Sequence, residues 1–183
     1  VCRALSRLGF WHDHFQSAAA LLTRLVRHTR KGTVDNARKR LEEMFHLGGG
    51  RTQAPPKDRL AFIAELLNSK PGWKRDLGLD LLAAMLKSVG AWNGDELTRG
   101  MLPNVSNWRA KSNVELFAAW RAGIALLRES EDPDDAVWQS RISTLLIDLA
   151  LGWIHMEALV DDCLEILEAI PSMPNHNAGK LAS

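Results

Sequence analysis

The stretch that most constrains this chain runs from Pro56 to Val89. Leu60, Ile63, Ala64 and Leu67 fall at i, i+3, i+4 and i+7, and Leu77, Leu81, Ala84 and Met85 form a second stripe at helical spacing. Each set predicts a helix with one buried face and basic residues opposite. Lys70-Pro71-Gly72 separates them and predicts a helical hairpin. A hairpin alone cannot bury both stripes, so flanking sequence must stack further helices on it.

The flanks supply them. Cys2 to Leu8 reads as a first helix, closed by Gly9 in the left-handed conformation that glycine tolerates. Asp13 is a predicted N-cap for a helix to about Thr29, with Phe15, Ala18, Leu22, Leu25 and Val26 on one side. A helix over roughly Val34 to His46 buries Ala37, Leu41, Met44 and Phe45. Leu47 to Pro55 is a loop, because three consecutive glycines carry too much backbone entropy for a helix, and Pro56 suits the first turn of the next helix. Gly90 to Lys111 reads as a long ordered loop bracketed by Trp92 and Trp108, a length uncommon in compact domains. Ser112-Asn113-Val114-Glu115 is a capping box, opening a helix with Phe117, Trp120, Ile124 and Leu127 inward. Asp132-Pro133 predicts an N-cap and first-turn proline for a helix buried on Trp138, Ile142, Leu145 and Leu149. Gly152 ends or kinks it, and a last helix from about His155 to Ile170 buries Leu159, Val160, Cys163, Leu167 and Ile170 before Pro171 stops it.

No segment alternates as a strand does between hairpin turns. The expected fold is all-α: seven to eight helices in antiparallel pairs, as an α-solenoid of HEAT or TPR kind or as an irregular bundle. Residues 1–170 are expected to form one helical domain, with 171–183 as a flexible tail. With 46% hydrophobic and 25% charged residues among 183, the composition is that of a globular protein. No apolar run approaches the roughly 18–20 residues that span a bilayer, and Val1-Cys2-Arg3 does not open a signal peptide. A cytoplasmic protein with no membrane partner is expected. Cys2 and Cys163, at opposite ends, are neither a disulfide framework nor a zinc spacing. The absent initiator Met reads as an excised piece of a longer chain.

Residues 60–82 carry a resemblance. Leu60-x2-Ile63-x2-Leu66-Leu67-x3-Pro71-x-Trp73-x-Arg75-x2-Gly78-x2-Leu81-Leu82 resembles a HEAT-type repeat, over about one repeat unit. Leu5-x2-Leu8-Gly9-Phe10-x4-Phe15-x2-Ala18-x2-Leu21-Leu22, followed by Leu47–Pro56 and Ser112–Trp120, looks like the helical repeat regions of large multidomain bacterial proteins, notably STAND-type NTPases of the anti-phage kind. The resemblance implies a partner-recognition role, with chemistry in a separate domain.

The residues themselves offer little catalysis. His12 and His14 point apart on a helix and do not reach the ligand count of zinc. Gly48-Gly49-Gly50-Arg51-Thr52 lacks the phosphate-loop lysine and follows a helix. Glu42-Glu43 and Asp161-Asp162 splay instead of converging. Glu157, Asp161, Glu165 and Glu168 form a solvated stripe, and Cys163 belongs to the core. No catalytic residue, metal or cofactor is assigned, and the chain is read as non-enzymatic; a small enzyme with a site assembled from dispersed residues is the more distant alternative.

Charge and tryptophan carry the functional expectations. Residues 1–91 hold 16 Lys+Arg against 8 Asp+Glu, and residues 92–183 hold 7 against 14. Arg24, Arg27, Lys31, Arg38, Lys39 and Arg40 could contact phosphates, which defines a nucleic-acid alternative. Glu42 and Glu43, four residues after Arg38 and Lys39, oppose it, and no tryptophan interleaves with the cluster as a stacking platform for single strands requires. Trp92, Trp108 and Arg109 flank the long loop, and Trp and Arg dominate interface hot spots. The expected function is therefore recognition of a protein partner, or of another domain of a parent chain, through Trp92, Trp108 and Arg109.

Overall fold

The computed structural model describes residues 1–28, 36–47, 51–70, 72–87 and 107–169, and among them it contains eight α-helices, one 3-10 turn and no strand. The all-α expectation holds. The chain divides into two compact units, Val1–Trp120 and Arg121–Ser183. No described helix is long and apolar enough to cross a membrane.

The first unit contains α1 (Cys2–Leu8), α2 (His12–Val26), α3 (Ala37–Phe45), α4 (Pro56–Leu67), α5 (Gly72–Lys87) and the start of α6 (Asn113–Glu129). α4 and α5 form the expected hairpin, while α3 packs against α1, α2 and α5. Because α5 lies against both α3 and α4, it buries a wide arc: Leu77, Leu79, Leu81, Leu82, Met85 and Leu86. Gly78 lies on that arc, where a Cβ would come within 3.1 Å of the Leu66 Cβ. The centre is aromatic. Phe15 of α2, Phe45 of α3 and Phe62 of α4 have ring centroids 5.5–6.4 Å apart, a spacing at which aromatic edges and faces attract.

All four predicted core residues of α3 are buried, and the Asn36 side chain caps the helix by accepting the Arg38 N–H at 2.9 Å. The α4 face turns away from expectation. Arg59, Phe62, Ile63, Leu66 and Leu67 are buried, whereas Leu60 and Ala64 are half-buried, so the buried stripe starts one residue earlier. Gly9 is not left-handed: its φ is −68° and ψ −5°. Close packing surrounds it instead: a Cβ there would come within 2.4 Å of the flexible Met44 Cε, which would have to shift, and within 3.0 Å of Ala18 Cβ. Asp13 lies in the first turn of α2, and Trp11 occupies the cap without a side-chain bond. α2 ends at Val26 rather than near Thr29.

Ser112 caps α6 through its Oγ, which accepts the Glu115 N–H at 3.3 Å. The Glu115 carboxylate reaches the Lys111 N–H, one residue before the cap, at 2.6 Å.

In the second unit, α7 (Ala136–Trp153) buries Trp138, Ile142, Leu145 and Leu149, as the spacing predicted. Its cap is Asp135, accepting the Trp138 N–H at 2.9 Å. Asp132 instead closes the preceding turn on the Asp134 and Asp135 N–H groups. Gly152 is the penultimate residue of α7. A 3-10 turn (Glu157–Leu159) leads into α8 (Val160–Ala169), which packs on α7 through Cys163 and Ile166.

Candidate functional site

Three connecting segments distant in sequence meet in the first unit, and one threonine joins them. The fully buried Thr52 donates its hydroxyl to the Gly9 carbonyl at 2.8 Å and accepts the Ala54 N–H at 3.1 Å. Gln53 N–H bonds the Phe10 carbonyl at 2.7 Å, and Trp108 N–H bonds the Thr52 carbonyl at 2.8 Å. The corner after α1, the linker before α4 and the segment leading to α6 are thereby held in one hydrogen-bonded seam.

Arg59 lies beside the seam with none of its surface exposed. Its Nε donates to the Ala54 carbonyl at 2.9 Å, and Nη1 donates to His46 at 2.8 Å and to Phe45 at 3.4 Å. Phe45 and His46 close α3, whose last carbonyls lack helical partners and carry the negative end of the helix dipole. The cation answers both needs. Its Cζ sits 5.6 Å from the centroid of the Trp108 ring, within the range of cation–π attraction. Among the described residues Nη2 has no partner. Burial pulls the guanidinium down to about 9, so it remains charged at neutral pH. His46 is lowered by burial first, and then by Arg59 and Arg51.

Trp108 is half-buried, with its backbone tied to Thr52 and its ring over Arg59. Arg109 beside it is exposed, and its Nε bonds Asn107 Oδ1 at 3.3 Å. Trp92 lies outside the described residues. The sequence reading missed Arg59, Thr52 and Phe62. The signal for Arg59 was its spacing of three and four residues from Phe62 and Ile63, discounted because a charged side chain reads as solvent-facing.

The basic residues separate into paired and open groups. Arg38 bonds Asp80 and lies 3.6 Å from Glu42. Glu43 pairs with Arg40 and Arg51, both at 3.0 Å, in place of the expected Lys39. Arg24, Arg27 and Lys39 are exposed, and Lys31 lies outside the described residues. The fold brings one tryptophan, Trp73, to the edge of this cluster, where among the named cations it meets Arg27. The Arg27 guanidinium lies 5.5 Å from the ring centroid and the Lys74 ammonium 6.0 Å.

His12 and His14 are both exposed, and His12 Nε2 bonds Asp58 at 2.6 Å. Among the described residues no three metal-capable side chains converge. In the second unit Arg121 grips Asp162 through Nε at 2.8 Å and Nη2 at 2.7 Å, and Arg128 reaches Glu165 at 2.6 Å. The Arg121 bond holds the Asp162 carboxyl below its ordinary value, and Arg121 is raised in turn. Burial, then the Asp162 charge, push the Cys163 thiol up, which fits a core residue better than a nucleophile.

Compared with known protein families, curated proteins and solved structures, the chain gives no significant match.

Proposed function

We propose that this chain is a non-enzymatic helical recognition module, a HEAT-like part of a larger cytoplasmic bacterial protein, that engages a protein partner or another domain of its parent chain. One observation carries the reading: the Trp108 indole is fixed from beneath by a buried guanidinium and along its backbone by Thr52, with the exposed Arg109 next to it. An aromatic already held in one orientation loses little rotamer freedom on binding. Tryptophan with arginine is also the pairing that most often supplies interface hot spots. Rigid helices that present a recognition segment are a common arrangement of such modules.

The test is to isolate a partner with the unaltered chain and then measure its affinity for single variants. Arg109→Ala should weaken binding about tenfold, on the order of 1.4 kcal/mol, and leave the melting temperature unchanged. Trp108→Ala should lower both, because it also uncovers Arg59. Unchanged affinity in both variants would remove this segment from the interface.

A second reading rests on Trp73. With Arg27 and Lys74 against its ring and Arg24 and Lys39 exposed on α2 and α3, the first unit offers cations and an aromatic as nucleic-acid surfaces do. The Trp73 ring, already against Arg27 and Lys74, is less free to stack on a base, so protein recognition ranks first. Reversing Arg24 and Arg27 to glutamate should abolish any duplex binding with the fold intact. Salt-resistant, submicromolar binding to a defined oligonucleotide would invert the ranking.

A further inference from the structure

The division into two units sharpens the charge asymmetry of the sequence. Val1–Trp120 holds 19 Lys+Arg against 11 Asp+Glu, a net +8, and Arg121–Ser183 holds 4 against 11, a net −7. The whole chain is nevertheless near neutral, at +1 with a pI of about 8.0. Two copies therefore meet almost no net repulsion at neutral pH, a condition that favours association. Opposed patches on one molecule also let the basic face of one copy complement the acidic face of another.

The surface residues carry the same division. Glu157, Asp161 and Glu168 stand exposed along the 3-10 turn and α8 at helical spacing. Within that stripe Glu165 is the member held by an arginine of its own unit. On the first unit Arg24, Arg27 and Lys39 are exposed on α2, its C-terminus and α3, whereas their neighbours Arg38 and Arg40 are engaged by Asp80 and Glu43. Arg38 and Arg40 are thus matched internally, while Arg24, Arg27 and Lys39 stand open on the first unit and Glu157, Asp161 and Glu168 on the second.

We propose that the acidic face of α8 docks on the basic α2–α3 face of a second copy of this chain. A nucleic acid could neutralise the basic face alone, and a cationic partner the acidic face alone; a second copy answers both. The inference is independent of the Trp108 reading, since none of these residues touches that seam. A two-fold pair that matches both faces at once would be isologous and closed; a contact that uses one face of each copy is heterologous, and copies then add head to tail.

Sedimentation velocity on the full chain over a concentration series tests it. At about 0.01 M salt, where the Debye length is about 30 Å, the weight-average mass should rise with concentration to about twice 20.4 kDa or beyond. At about 1 M salt, with a Debye length of about 3 Å, it should return to 20.4 kDa. The triple variant Glu157→Lys, Asp161→Lys, Glu168→Lys should lose association, and so should Arg24→Glu, Arg27→Glu, Lys39→Glu; helical circular dichroism should stay unchanged in both. Mixing the two should restore association, because the native basic face of the first meets the native acidic face of the second; a mixture that stays at 20.4 kDa would count against the contact. A chain of 20.4 kDa at every concentration in low salt would overturn the proposal. Association that survives both triple reversals, or that high salt strengthens, would overturn it equally.

Discussion

Arg59 and Arg121 are the same side chain put to opposite uses, one in each unit. Arg59 is wholly buried, faces backbone carbonyls and an indole, and is driven downward in pKa by its surroundings. Arg121 is exposed, grips a carboxylate with two nitrogens and is driven upward. The exposed pair has the better charge partner, yet water and salt screen it. The buried cation has no carboxylate among the described residues, yet it satisfies the buried carbonyls of Phe45 and Ala54 and the part-buried one of His46. Geometry, rather than opposite charge, makes the first unit's arginine the structural one.

The largest effect is expected from Arg59→Ala, which strands the carbonyls of Phe45, His46 and Ala54 and removes the support of Trp108. Chemical denaturation should show a loss of about 3–5 kcal/mol, comparable to the about 2–5 kcal/mol expected for truncating the buried Leu81 to alanine. A loss as small as that of a surface arginine would break the contrast. Asp135→Ala, which removes the α7 cap, should cost about 1 kcal/mol, read as a shift in melting temperature. A smaller effect should come from acid. His46, held below its ordinary value near 6.5 chiefly by burial, is neutral in the fold, so the unfolded chain takes up its proton first. Stability should be complete above about pH 6.5 and fall as the pH drops toward the folded value; His46→Gln should flatten that part of the profile. Smallest of all, Arg121→Ala should leave the melting temperature unresolved from the parent's, with Asp162 returning toward its ordinary titration by NMR. A clear drop on losing Arg121 would sharpen the comparison in the other direction, showing that an exposed bidentate pair also holds helices.

The helices were legible because periodicity needs only the apolar residues. α3 and α7 bury the residues their spacing selects, down to Leu41, Met44, Ile142 and Leu149. Caps were harder: Asp132 and Asp135 both precede α7, and only the fold decides which carboxylate meets an N–H of the helix itself. Gly9 was recognised as special for the wrong reason, since close approach of Met44 and Ala18 cannot be read from a single chain position. The seam was least legible. Thr52 looks like one polar loop residue, and Arg59 like a solvated cation, because their partners lie on segments that no local pattern connects.

The Thr52 clasp also sets an order in time. Residues 9, 52 and 108 must be present together before it closes, and a contact spanning so much chain requires the closure entropy of the intervening loops. A polypeptide emerging from the ribosome exposes α1 to α5 well before Trp108 appears, at about 5–20 residues per second. For that interval of about one to four seconds the nascent first unit holds a hairpin and its neighbours without their final stitch, and Arg59 without its indole cover. Emergence of residue 108 is the moment at which this region becomes complete.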